Sequence, residues 1–347
     1  MNPTKPFVIL TALLWITSLS AQSIGHTYNA LINKAELNIT DGRYAEALKN
    51  YETAFADTKI EFAADLYNAF ICSHKLKNTT KVLSFANKLA AKGVGEKFFT
   101  KKIFRNYLAN DEFKKITLKA EQVMNDKAAA NKEYADKMTE FLNNDISYNE
   151  LRREKYYHLH ELPDTLQQLN RANMKNLVSL IRKEGFYSEE KLGANILRDT
   201  VIGNMRKFDI AVLHYFEMGN DKAIIDELKS ILLDNLNKGS IRYYHVNAMM
   251  SMTAGIFGDI GEWAFKINDC KIYRKTTIEA EWQDKIEHYR DLYCMNNLAD
   301  FEKIICHKYA TDSDFDFKYY LIQSPVSDME YFVSAFNEIA KINDCQP

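Results

Sequence analysis

"DGRYAEALKNYETAF", Asp41–Phe55, is the stretch on which the fold turns. Upstream of it, Ala30, Leu31, Ala35 and Leu37 recur at roughly helical spacing, and Asp41-Gly42 then breaks the pattern. Glycine readily takes the left-handed backbone that ends a helix, so a stop is predicted at Gly42. Tyr44, Ala47, Leu48, Tyr51, Ala54 and Phe55 follow along one face of a second helix. So short a turn makes the two helices pack antiparallel, and Ala47 and Ala54 supply small side chains where the axes approach.

The run resembles a tetratricopeptide repeat. That family's order of small residue, turn glycine, aromatic, alanine, aromatic, alanine is met by Ala35, Gly42, Tyr44, Ala47, Tyr51 and Ala54. Two positions depart from it: Leu31 stands where a bulky aromatic is usual, and Lys59 lies near the place of the closing proline. A repeat needs further copies. Leu66 follows Leu31 and Leu83 follows Leu48 in one register, which also aligns Asn68 with Asn33. The second unit, Ala63–Gly93, lacks the turn glycine and the signature alanines. "FFTKKIFRNYLANDEFKKI", ahead of Thr117–Met124, would supply a third hairpin, and its L-x-N-D-x-F-x-x-I run is like those that follow the last repeat in exported relatives.

The rest of the chain also favours helix. Only 12 Gly and 5 Pro punctuate 347 residues, too few for many short strands. Leu118 to Tyr156 is charged, without Pro or Gly, and reads as a long helical connector. "ELPDTL", Glu161–Leu166, marks a boundary, since Pro163 stops one helix and Asp164 can cap the next. Three helical runs then end at Gly185, Gly219 and Gly239, the second of them beginning at Ala194. Ser240–Phe265 is ambiguous between helix and buried strand, and Asp314–Ile322 alternates as a short strand would. "DMEYFVSAFNEIAKI", Asp328–Ile342, reads as a last helix. The C-terminal half faintly resembles an uncharacterised helical domain of exported bacterial proteins, through "RKEGFYSEEKLG" and a His inside the next helix, His214. The expectation is an all-α fold. Tetratricopeptide-like helical hairpins occupy 24–125, a helical connector 126–160, and a mostly helical C-terminal domain 161–347.

Residues 1–23 read as a secretory signal, cleaved after Ser20 or Ser23: Lys5, an apolar stretch from Phe7 to Ile16, then small residues. That apolar core is too short to span a bilayer, which takes about 20 residues, and no transmembrane segment is expected in the mature chain. The expected location is therefore periplasmic or extracellular. Export permits disulfides, and Cys270, Cys294, Cys306 and Cys345 cluster late enough to be candidates, in any of three connectivities. Cys72, in "LYNAFIC", reads as a buried small hydrophobe. "KINDC" occurs at Lys266–Cys270 and again at Lys341–Cys345 with unmatched flanks, and reads as coincidence.

Reactive constellations are thin. A net charge of −2 with no strong basic cluster argues against nucleic acid. His158 and His160 diverge on a helix. Asp312, Asp314 and Asp316 open like a calcium loop, but Phe317 and Gln323 stand where that loop needs Gly and Glu. Gly255, Gly258 and Gly261 match no phosphate loop. His214 and His245, near Asp199, Asp209 and Asp259 in sequence, are the only candidates for a general base, and no catalytic, metal or cofactor assignment follows. The leading expectation is a non-enzymatic protein-interaction or scaffold module of the envelope with a protein or peptide partner. In repeats of the resembled family the first helix of each pair lines a concave face, which makes Asn29, Asn33, Glu36 and Asn68 the candidate contacts. The alternative is a hydrolase, or a small-ligand or glycan binder, with its site in the C-terminal domain. Tyr156-Tyr157, Tyr243-Tyr244 and Tyr319-Tyr320 are candidate groove linings on that reading.

Overall fold

The computed structural model describes residues 23–155, 163–203, 207–218, 221–245, 260–261, 264–268, 271–275, 277–310, 314–318 and 339–344. The fold is all-α. The signal segment, His158, His160, Gly219, Gly255, Gly258, Asp312, Tyr156-Tyr157, Tyr319-Tyr320, Cys270 and Cys345 lie outside the described residues.

Helices α1 (Ile24–Thr40) and α2 (Tyr44–Thr58) form the first hairpin. Gly42 has φ +72°, as the turn requires. The Arg43 amide returns to the Asn38 carbonyl at 2.8 Å, closing the end of α1. Ala35, Ala47 and Ala54 are completely buried, so the alanine positions read from the sequence are where the helices meet. Helices α3 (Ala63–Lys75) and α4 (Thr79–Ala91) form a second hairpin against it. The turn glycine that this unit lacks is replaced by Lys77 at φ +55°, and Asn78 caps α4 by accepting from the Lys81 amide.

The third unit is only half a hairpin. Two 3-10 turns, Glu96–Thr100 and Lys102–Tyr107, stand where its first helix was expected. Their role is to deliver aromatic side chains. Phe98, Phe99 and Phe104 pack with Phe70 and Phe113 at ring separations of 4.7 to 5.9 Å. Asn110 of the L-x-N-D-x-F run caps α5 (Asp111–Ala130), accepting from the Glu112 and Phe113 amides. A single non-helical residue, Asn131, separates α5 from α6 (Lys132–Lys155). Helix α5 thus runs through the boundary expected at 125/126.

Helix α7 (Asp164–Glu184) packs on α6 and ends at Gly185, φ +89°. A short helix α8 (Glu189–Leu192) follows. The run from Ala194 expected as helix is instead a hairpin of β1 (Ile196–Leu197) and β2 (Val201–Ile202), turned by Arg198 and Asp199 with positive φ. The β-branched residues Ile196, Val201 and Ile202 suit the pairing. Helix α9 (Lys207–Met218) begins only beyond it, and α10 (Lys222–Asn237) ends in Gly239, φ +69°. Helix α11 (Ala280–Leu292) is followed by α12 (Leu298–Ala310), and a three-stranded antiparallel sheet in the order β3 (Phe265–Asn268), β4 (Lys271–Lys275), β5 (Ile339–Asp344) is set beside α12. Ile339–Ile342, read as the end of a helix, lie in β5 instead: Ile339, Ala340 and Lys341 pair with β4, and the register shifts at Ile342 before resuming at Asn343. Lys266–Asn268 of the first "KINDC" copy therefore lie in β3 and Lys341–Asp344 of the second in β5, the two strands that flank β4. Asp314–Lys318, read as part of a strand, pair in no ladder.

Candidate functional site

Helices α1 and α3 present one polar face, and the C-terminal half of the chain is packed into it. Asn29, Glu36 and Asn68 are buried and Asn33 is half-buried. Asn68 grips the backbone of Asp316 from both sides: its Nδ2 donates to the Asp316 carbonyl at 3.2 Å, and its Oδ1 accepts from the Asp316 amide at 2.7 Å. Asn33 Nδ2 donates to the Cys294 carbonyl at 3.3 Å. Asn29 turns back on its own helix, donating to the Gly25 carbonyl at 2.7 Å. Glu36 faces Arg242, with Oε1 3.9 Å from Nη2. The four residues named from the sequence thus lie on one face, and three of them touch the chain's own C-terminal half.

Arg242 is the centre of that contact. Its side chain is completely buried, and Nη1 donates to Asp65 Oδ2 at 3.2 Å. The Tyr28 hydroxyl donates to the same oxygen at 2.6 Å. The rings of Tyr28, Tyr243 and Tyr244 surround the guanidinium at 5.2 to 5.8 Å. Burial pushes the Asp65 carboxyl above its ordinary range, while Arg242 and the Tyr28 hydroxyl pull it back. The sequence reading missed both residues. An Asp in the apolar run "AADLYNAF" was the available signal, since a buried charge demands a partner.

Further contacts seal the junction. The Glu189 carboxylate accepts from the Ala63 amide at 2.8 Å and so caps the start of α3. Gly25 lies so close to the end of α10 that an added Cβ would sit 1.9 Å from the Leu236 carbonyl oxygen. Phe315 and Phe317 are buried, and Phe315 stacks on Tyr44 at 5.8 Å.

A second site lies on α6, α7 and α9. His214 Nδ1 is 2.9 Å from Asp145 Oδ2, whose side chain is 3% exposed. With Nδ1–H donating, the carboxylate fixes the imidazole orientation, and Asn149 Nδ2 donates to Asp145 Oδ1 at 3.1 Å. The acid meeting this histidine is neither of the described ones expected. Asp199 pairs with Lys97 at 3.2 Å, while Asp209 is buried on the first turn of α9. Asp259 lies outside the described residues. His245 rests against Phe62 and Tyr244. Asp145 was legible as an acid in the stripe Tyr134, Met138, Phe141, Tyr148, all buried.

The calcium-like run is spent on ion pairs, Asp314 with Lys75 at 3.3 Å and Asp316 with Lys318 at 2.5 Å. Among the described residues no cluster of His, Cys, Asp and Glu is arranged to hold a metal, and no helix is long and apolar enough to cross a membrane. Cys72 is buried as read. Of the four cysteines offered as disulfide partners, Cys294 is buried and Cys306 half-buried, while Cys270 and Cys345 lie outside the described residues. Burial pushes the Cys294 thiol up to about 12. Comparison with models of known protein families, with curated proteins and with solved structures finds no match.

Proposed function

We propose that this is an exported bacterial envelope protein that acts as a protein-interaction or scaffold module. The observation that carries the reading is the two-sided grip of Asn68 on the Asp316 backbone. A carboxamide that donates to a carbonyl and accepts from the amide of the same residue recognises extended peptide irrespective of side chain. The repeat-like face uses this chemistry in cis, on the C-terminal half, and the two halves together present the surface a partner meets. Tetratricopeptide-like hairpins suit the role, because they offer a broad polar face on a rigid apolar support. Cleavage of the signal after Ser20 would leave Ser23 to cap α1 through its bond from the His26 amide, whereas cleavage after Ser23 would remove that cap.

The test is affinity capture from envelope extract with the full chain as bait, against an Asn68→Ala bait. A specific protein retained by the first and weakened with the second is the expected result. Retention of nothing beyond the tag control by the wild-type chain overturns the reading. N-terminal sequencing of the mature protein from fractionated cells checks export, and an intact Met1 in the cytosol removes it. One observation favours a second reading, a hydrolase or small-ligand binder: the Asp145–His214 pair beside a groove of α6 and α7. In the tautomer with Nδ1–H donating, Asp145 orients the imidazole as it would a general base.

A further inference from the structure

We propose that the groove between α6 and α7 binds a neutral sugar. The inference rests on the small-ligand reading and is independent of the scaffold reading. The groove opens as a hollow of 330 Å³, inside the range of about 300–1,000 Å³ that small-molecule sites occupy. Its floor is polar although buried: Asp145 is 3% exposed, Asn170 6%, Tyr148 7% and Asn173 9%. The Tyr148 hydroxyl is buried there with the Asn170 carboxamide beside it. A phenol and a carboxamide side by side in a cavity wall offer an occupant a donor and an acceptor at one place.

Charge selects the class of occupant. No Lys or Arg lines this hollow, so an anion finds no counter-charge. The one carboxylate, Asp145, is already engaged by His214 and Asn149, so a cation finds it taken. What remains are carboxamides, one aliphatic hydroxyl on Ser147 and the Tyr148 phenol. A carboxamide sets a donor and an acceptor side by side. Adjacent hydroxyls of a sugar ring also donate and accept side by side, and the two patterns match. Asn173 is held in place, donating to the Phe141 carbonyl at 3.1 Å and accepting from Asn144 at 3.3 Å, which presents a preformed edge. Leu169, 60% exposed at the rim, offers an apolar surface to the C–H side of a ring. Past Asn144, Asn173 and Asn176 the groove continues into a second hollow of 330 Å³, where Lys137 pairs with Glu184 at 2.8 Å and Glu140 and Lys183 add one charge of each sign, so a short neutral oligosaccharide has room to extend.

Saturation-transfer NMR on the full chain tests this, with glucose, galactose, mannose and N-acetylglucosamine at millimolar concentration and the dipeptide Ala-Ala as comparison. At least one sugar is expected to receive transfer. Tyr148→Phe should weaken that sugar about tenfold while the fold is kept, because the change deletes one hydroxyl and keeps the buried ring. Asn176→Ala, at an exposed position, should weaken it comparably without disturbing the core, and decides the matter if the Tyr148 variant fails to fold. Transfer to none of the sugars, or transfer indifferent to both substitutions, overturns the proposal. Transfer to Ala-Ala alone, lost in the same variants, overturns the sugar and leaves the small-ligand reading standing.

Discussion

Replacing Arg242 by Met tests whether the two halves are held by a buried charge pair. The guanidinium is completely buried and lies 3.2 Å from Asp65 Oδ2, in a shell of three tyrosine rings. Met keeps much of the apolar volume but strands Asp65 without its cation. Breaking a buried pair from one side costs about 3–5 kcal/mol, because the remaining charge has lost its water as well as its partner. Asp65 should respond by taking up a proton. A carboxyl whose folded pKa is raised binds more protons folded than unfolded in the window between its two pKa values. Arg242→Met should therefore be least stable above that window and regain stability as pH falls through it. Arg242→Met/Asp65→Asn should recover part of the loss at neutral pH, since only Glu36, 3.9 Å from the guanidinium, has then still lost that cation. Urea unfolding at pH 7 and pH 5 on wild type, single and double variants makes the measurement. A single variant that loses less than about 1 kcal/mol, or a double variant no more stable than the single, would refute the reasoning.

Three further outcomes follow from the junction and the sheet. Gly25→Ala drives a methyl into the Leu236 carbonyl 1.9 Å away and should cost about 1–3 kcal/mol, read as a lower urea midpoint at unchanged slope. Lys308 is held down at about 8 by burial, with Asp316 and Glu36 opposing and Lys318 reinforcing. The unfolded chain then binds a proton that the folded chain has lost from about pH 8 to the ordinary lysine value near 10.4, so stability from this group rises with pH there, and Lys308→Met should flatten the rise. Lys271 and Asp344 face each other in the β4–β5 ladder, and Cys270 and Cys345 are their chain neighbours. Non-reducing peptide mapping of protein taken from an oxidising compartment should therefore find Cys270 linked to Cys345, and finding both as free thiols, or either joined to a different cysteine, would refute the prediction.

The sequence by itself determined the helical class and the first hairpin, because both depend on local chemistry. Ala35, Ala47 and Ala54 specify the close approach, and Gly42 ends α1 with a backbone that a side chain would strain. Helical spacing also put Asn29, Asn33 and Glu36 on one face of α1, and only the likeness to tetratricopeptide repeats added Asn68 from α3. Tertiary structure alone decided what covers that face. Nothing local to Asn68 names Asp316, and nothing local to Asp65 names Arg242. These pairs are set by the long-range packing of the C-terminal half. The strands tell the same story. Ile339–Ile342 have a helical pattern upstream but a waiting partner in β4, and the partner's unpaired backbone outweighs the local preference. Asp145 joins His214 across two helices that only folding brings together, so its role was invisible in a segment whose composition spoke only of a charged helix.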